Sequence, residues 1–254
     1  MTTELIPIYI LIFAFGIVIG SFLNVCIYRI PQHETVVTER SHCMRCGYQL
    51  AWYDMVPVFS WIFLGGKCRN CKEKISARYP IVESLNAVLW TLSAYFIGLN
   101  ANAFIYDALF SALIVMTFID IDTKEIPNGI VVFIIILSIP LFFTAKDVVW
   151  WHRLVGAVVI SVPLYVIALV TGGIGGGDIK LYFALGLVLG LYPTLVSAFI
   201  AIVSAGLIGG ALLLTKKVRK GYELPLGPFI ALGAVVTVFA GTPIIDGIKN
   251  IFGI

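Results

Sequence analysis

Eight stretches of this chain are apolar enough to be read as membrane-crossing helices, and that pattern decides its fold class. A hydrocarbon layer about 30 Å thick takes about 20 mostly apolar residues of α-helix to cross. Such runs lie at residues 5–28, 81–99, 104–119, 129–144, 154–170, 181–190, 194–214 and 226–240, the sixth being short. Only 12% of the 254 residues are charged and 60% are hydrophobic. A soluble domain carries about a quarter charged residues, because a water-exposed surface needs them. An ordinary soluble enzyme, a disordered chain and a disulfide-stapled secreted domain are thereby excluded. The first run has no basic stretch before it and is too long for the apolar core of a signal peptide, so it reads as a retained helix.

The expected fold is an all-α polytopic membrane protein of about eight transmembrane helices with a small zinc-ribbon-like loop module. Three segments follow: a first helix (1–29), a four-cysteine loop (30–80) and a transmembrane core (81–254). The basic residues give an orientation. Arg29, Arg40, Arg45, Lys67, Arg69, Lys72, Lys74 and Arg78 fall in or beside one loop. Lys124, Lys180, Lys216, Lys217, Arg219 and Lys220 fall in the alternate loops that share its side. Only Lys146, Arg153 and Lys249 fall on the other. Positive charge marks the cytoplasmic side, which places the cysteine loop inside and both termini outside. The cluster at 216–220 suits attraction to anionic membrane lipid. Trp150 and Trp151 suit an aromatic belt at the outer interface.

The loop contains Cys43-Met-Arg-Cys46 and Cys68-Arg-Asn-Cys71. Two C-x-x-C pairs at this separation fit one structural Zn²⁺ held by four thiolates. Two disulfides or a redox pair are the alternatives, disfavoured where cytoplasmic thiols stay reduced. Four thiolates leave no open position for catalysis by the metal. Cys26, inside the first run, reads as a small packing residue.

Acids at membrane depth are costly and point to function. Asp120 and Asp122 end the third run, and Asp178 stands in Gly175-Gly-Gly-Asp178-Ile-Lys180, just before the sixth. The topology puts Asp120 and Asp178 at the same depth on the cytoplasmic side and Asp107 on the outer side. Two such carboxylates brought together share a proton, one activating water and the other polarising a carbonyl, which is aspartic-protease chemistry. Asp120 and Asp122 differ by about 200° around a helix, so only one can face a given partner. The surrounding glycines allow close backbone approach or serve as a flexible loop.

At these residues the chain resembles the type IV prepilin peptidases, membrane aspartic proteases with a GxGD motif. Residues 20–29 (Gly-Ser-Phe-Leu-Asn-Val-Cys-Ile-Tyr-Arg) resemble that family's first-helix motif. The paired cysteines follow in place, Asp120 is followed by Pro127, and 175–180 is similar to the second aspartate segment. Residues 224–233 (Leu-Pro-Leu-Gly-Pro-Phe-Ile-Ala-Leu-Gly) resemble the last-helix motif. Gly176 departs from the family, which often has a bulkier residue there. The resemblance implies that Asp120 and Asp178 are catalytic and Asp122 a bystander. It implies cleavage of a basic leader from prepilins or pseudopilins at the cytoplasmic membrane face. It also implies methylation of the new N-terminus by S-adenosylmethionine, although no G-x-G-x-x-G follows a strand to make a Rossmann-type site.

Asn24, Arg29, Glu83 and Lys180 are expected near the substrate or the methyl donor. Their structural alternatives are an interhelical amide bond for Asn24 and interface snorkelling for Arg29 and Lys180. For Glu83 the alternative is pairing with Arg78 or Lys74. No nucleic-acid partner is expected, and the oligomeric state is not legible. A coupled transporter using the two aspartates is the competing reading, but it lacks the internal repeat such proteins show. A zinc-bearing scaffold leaves the glycine-flanked aspartate unexplained.

Overall fold

The computed structural model describes residues 5–37, 41–145, 148–217 and 224–252. Arg40, Lys146, Arg219 and Lys220, used above to orient the chain, lie outside these residues. Among the described residues the apolar runs become eight helices: α1 (Ile6–Arg29), α3 (Arg78–Phe96), α4 (Ala101–Thr123), α5 (Asn128–Thr144), α6 (Trp150–Thr171), α7 (Gly176–Leu189), α8 (Leu191–Leu214) and α9 (Gly227–Phe252). A ninth, α2 (Phe59–Phe63), and a short 3₁₀ turn at Trp52–Met55 lie in the cysteine loop. Among the described residues there is no strand, only isolated bridges pairing His42 with Gln49 and Lys67 with Lys74.

Among the described residues five helices are long and apolar enough to cross a membrane: α1, α4, α6, α8 and residues Gly227–Gly247 of α9. α5 is a shorter apolar helix. α3 and α7 are not among the five; α7 has 14 residues, and α3 carries Arg78, Glu83 and Asn86. The chain divides into two compact units, residues Met1–Val115 and Met116–Ile254, so the division falls inside α4.

In the first unit α1 packs along α3 because its facing positions are glycine. A β-carbon at Gly16 would stand 2.6 Å from Ala87 Cα, and one at Gly20 would stand 2.6 Å from Glu83 Cα. Where apolar burial gives helices little reason to associate, such small residues let backbones approach and van der Waals contact hold. A polar seam reinforces the unit: Asn86 donates to Gly16 O (2.8 Å), Ser111 donates to Asn86 Oδ1 (2.8 Å), and Trp90 donates to Ser111 Oγ (3.1 Å). Asp107 is buried in this unit, beside the Ser93 hydroxyl.

In the second unit α6 packs on α7 and α8 on α9. Arg153 of α6 is wholly buried and donates to the carbonyls of Leu187 and Val188. A cation there satisfies the last carbonyls of α7 and complements the negative end of its dipole. The helix that carries Asp178 is thus anchored at its far end.

Candidate active site

The sequence places Asp178 just ahead of a helix; the structure places it within the first turn of one. Gly175 is extended and forms the N-cap, and its carbonyl accepts from the Asp178 N–H at 3.2 Å. An acid in a first turn is favoured by the positive end of the helix dipole. The glycines before it therefore end in a helix start rather than a loop. Gly177 has a packing reason: a β-carbon there would meet Ile126 Cβ at 2.9 Å. Ile126 lies six residues beyond Asp120, so the segment leaving α4 rests against the start of α7.

Asp120 and Asp178 both lie in the second unit, close enough for the charge of one to act on the other. Asp120 is buried. Asp122, half a turn away, is exposed. The two residues end on opposite sides of α4, as the helical angle requires.

One partner of Asp120 comes from far away in sequence. The backbone N–H of Gly227 donates to Asp120 Oδ2 at 2.8 Å, a buried bond. Gly227 is the first residue of α9, so its N–H is one of those that a helix start leaves without an internal acceptor. No side chain fits at this position: a β-carbon would stand 2.6 Å from Asp120 Oδ2 and 2.8 Å from Met116 Sδ. Residues 224–233 gave a resemblance but no chemistry in the sequence, and this hydrogen bond supplies it. Tyr182 is also new. It is buried, lies one turn beyond Asp178 on the same side of α7, and interacts electrostatically with that carboxylate.

Gly227→Ala is expected to lower peptide cleavage about 100-fold with normal expression. The methyl group would displace a carboxylate whose position matters at the ångström scale, and push it off the backbone N–H that alanine still carries. A cleavage assay on membranes checks it; wild-type turnover would remove Gly227 from the site.

Lys180 donates to Asn128 Oδ1 at 3.1 Å. It engages α5 rather than the aspartates. The other three residues lie in the first unit. Asn24 donates to Gly20 O (3.4 Å) and Tyr79 O (3.2 Å), an amide bridge between α1 and α3. Arg29 is buried and donates to Thr35 O at 2.9 Å. Glu83 is buried, and its Oε2 accepts the Val58 N–H at 2.7 Å. The Ser21 hydroxyl lies beside it, so its partners are a backbone amide and a serine where lysine or arginine was expected. Asn24, Arg29 and Glu83 all line one cavity of about 410 Å³. Trp61, Tyr28 and Tyr79 supply aromatic walls.

The four cysteines converge as their spacing requires. All four Sγ atoms lie within 4.8 Å of one another, the thiols are free, and Cys43 Sγ stands 3.8 Å from Cys71 Sγ. Zn–S bonds of about 2.3 Å in a tetrahedron put sulfurs about 3.8 Å apart, so the set fits zinc. Each pair is built by a tight turn: the Gly47 N–H reaches Cys43 O (2.8 Å) and the Lys72 N–H reaches Cys68 O (3.1 Å). The local field favours thiolate at Cys46, lowered to about 6 chiefly by the Tyr48 backbone hydrogen bond. Cys71 is held up at about 12; the Glu73 backbone bond favours its thiolate, but desolvation and the three neighbouring thiols outweigh it. An Arg69–Asp54 ion pair of 2.7 Å, with the Asp54 side chain buried, ties the second knuckle to the 3₁₀ turn.

Residues 14–97 match the bacterial peptidase A24 N-terminal domain, and residues 108–210 match the type IV leader peptidase family. The chain belongs to the type IV leader peptidase family. Its relatives include the prepilin leader peptidase/N-methyltransferase of Bacillus subtilis (strain 168), 34% identical over 238 residues, covering 93% of this chain and 96% of the relative. The protein of the same name from Burkholderia pseudomallei (strain 1026b) is 32% identical, covering 90% and 84%. That from Pseudomonas putida is 30% identical, covering 94% and 92%. No solved structure matches the chain. Within this leader peptidase family, the domain division assigns the cysteine loop to the N-terminal domain and both aspartates to the peptidase part.

Proposed function

We propose that this chain is a multi-pass membrane aspartic endopeptidase that removes the leader of type IV prepilins or pseudopilins at the cytoplasmic face, and then methylates the new N-terminus. The observation that carries the reading is that Asp178 lies within electrostatic reach of Asp120, whose carboxylate accepts the Gly227 N–H.

The two acids take different parts. Both acids stand at helix starts, but Asp120 alone accepts the buried Gly227 N–H, a direct hydrogen bond that makes it the member of the pair to carry the charge. Asp120 is the general base: it takes a proton from the water whose oxygen attacks the scissile carbonyl. Asp178 carries the shared proton and gives it to the carbonyl oxygen as the tetrahedral intermediate forms. When the C–N bond breaks, the leaving amine takes its proton from Asp120 and the collapsing diol returns a hydroxyl proton to Asp178, so both acids regain their starting states.

S-adenosylmethionine supplies an activated methyl group on a sulfonium. The cavity of the first unit fits a ligand of this class. Its volume of about 410 Å³ is within the usual range for cofactor-sized molecules, about 300–1,000 Å³. Arg29 would hold the donor's carboxylate, Trp61 and the two tyrosines its adenine, and Glu83 its cationic end. Cys43, Cys46, Cys68 and Cys71 would hold a structural Zn²⁺ that keeps this cavity's wall in shape.

The test is mass spectrometry of a prepilin-like substrate incubated with membranes containing the protein and S-adenosylmethionine. The expected products are the free leader and a mature chain heavier by one methyl group. Intact substrate would end the peptidase reading; cleavage without methyl gain would end the methyltransferase reading alone.

A further inference from the structure

The loop module carries an apolar face that none of the described residues covers. On α2, Phe59, Ile62 and Phe63 stand at spacings of three and four residues, which puts them on one side of the helix. All three are exposed, Phe63 at 85%. The 3₁₀ turn packs against α2 and adds Trp52, 77% exposed, and Tyr53. Soluble surfaces rarely gather so many large apolar side chains; where they do, another apolar phase meets them.

The other side of α2 has a different environment. Ser60, Trp61 and Leu64 line the 410 Å³ cavity, and the Trp61 indole is fixed by a 3.1 Å bond to Ile75 O. The helix is therefore a wall, with the cavity on one side and the apolar face on the other. Its start is held under strain. Val58, just before it, has φ of 61°, a conformation that β-branched residues strongly avoid. Glu83 on α3 accepts the Val58 N–H at 2.7 Å. A buried carboxylate holding a strained turn sets the direction in which α2 leaves.

We propose that α2 and the adjoining 3₁₀ turn are an interfacial membrane anchor. Phe59, Ile62, Phe63 and Trp52 dip into the leaflet that faces the module, and the cavity behind α2 is thereby seated at the bilayer surface.

Three observations choose a bilayer over a protein partner. The module is leashed at both ends, leaving the membrane-crossing α1 at Arg29 and rejoining α3 at Arg78. The close α1–α3 packing keeps those two attachments side by side, so the loop stays at the membrane boundary. The apolar face is mainly aromatic, with Trp, Tyr and Phe, the composition that settles at a headgroup boundary. Lys67, Lys72 and Lys74 are exposed on the same small module and complement anionic headgroups. The inference rests on the chain being a membrane protein and on neither proposed activity.

The test uses the full-length protein in nanodiscs of mixed anionic and zwitterionic phospholipid. A photoreactive benzoylphenylalanine is placed at residue 59, 63 or, as a control, 72. Irradiation and mass spectrometry of the peptides are expected to give phospholipid adducts at 59 and 63, several-fold above residue 72. Cross-links from 59 or 63 to a second copy of the chain would overturn the proposal, as would labelling by solvent alone. A second measurement guards against a probe that perturbs the fold. The Phe63→Trp variant should show added fluorescence that brominated lipids quench and an aqueous quencher does not; the opposite pattern would overturn the anchor independently.

Discussion

Asp120→Asn and Asp178→Asn are each expected to reduce leader cleavage by about 10³–10⁴-fold, with normal amounts of protein in the membrane. The size follows from losing a positioned general base or general acid in the transition state. The amide of Asp120→Asn would still accept the Gly227 N–H through its oxygen, so the fold at the start of α9 should survive while water goes unactivated. Asp178→Asn removes the shared proton but keeps the size and much of the polarity of the first turn of α7. The two effects should not add, because a dyad missing either member is already inactive. Methylation is the built-in control. Supplied with an already cleaved substrate, both variants should transfer the methyl group, since the proposed donor cavity draws all its residues from the first unit. Full cleavage by both variants would remove the dyad. Loss of both activities together would instead point to misfolding.

The second large effect concerns the four thiols. Cys43→Ser combined with Cys46→Ser, or prolonged chelation, is expected to abolish a zinc content of about one per chain and to unfold the loop module. Binding of a structural zinc contributes about 10–16 kcal/mol in small thiolate-ligated peptides. Little else is present to replace it. The module's other side-chain ties include the Arg69–Asp54 pair, the Trp61–Ile75 bond and the Glu83–Val58 bond. Limited proteolysis should then cut between residues 43 and 71 in the variant and not in the parent. Methylation should fall with the module, since α2 and Cys68 line its cavity. Cleavage should fall far less. A metal-free module that resists protease would refute the zinc assignment.

Much of this molecule is legible in its sequence. Each apolar run became a helix, because a backbone held among apolar groups can satisfy its hydrogen bonds only within its own segment. The cysteine spacing foretold the cluster, since a C-x-x-C turn brings two sulfurs together using local geometry alone. The angle around α4 separated buried Asp120 from exposed Asp122. The helical start at Gly176 was not foreseen, because three consecutive glycines suppress the local signal for a helix. Their conformational cost is met by packing, as Gly177 against Ile126 illustrates.

Hydropathy and spacing, both local properties of the chain, determined the helices, the thiol knuckles and the two acids at helix ends. What only the tertiary structure decided was which distant groups touch. The Gly227 amide reaches a carboxylate 107 residues earlier. Glu83 takes hold of a strained turn at Val58 in place of a lysine or arginine. A five-residue helix becomes the wall of a cavity. Such contacts depend on the packing of whole helices, where a difference of one small side chain admits or forbids a backbone, and no window of sequence contains both partners.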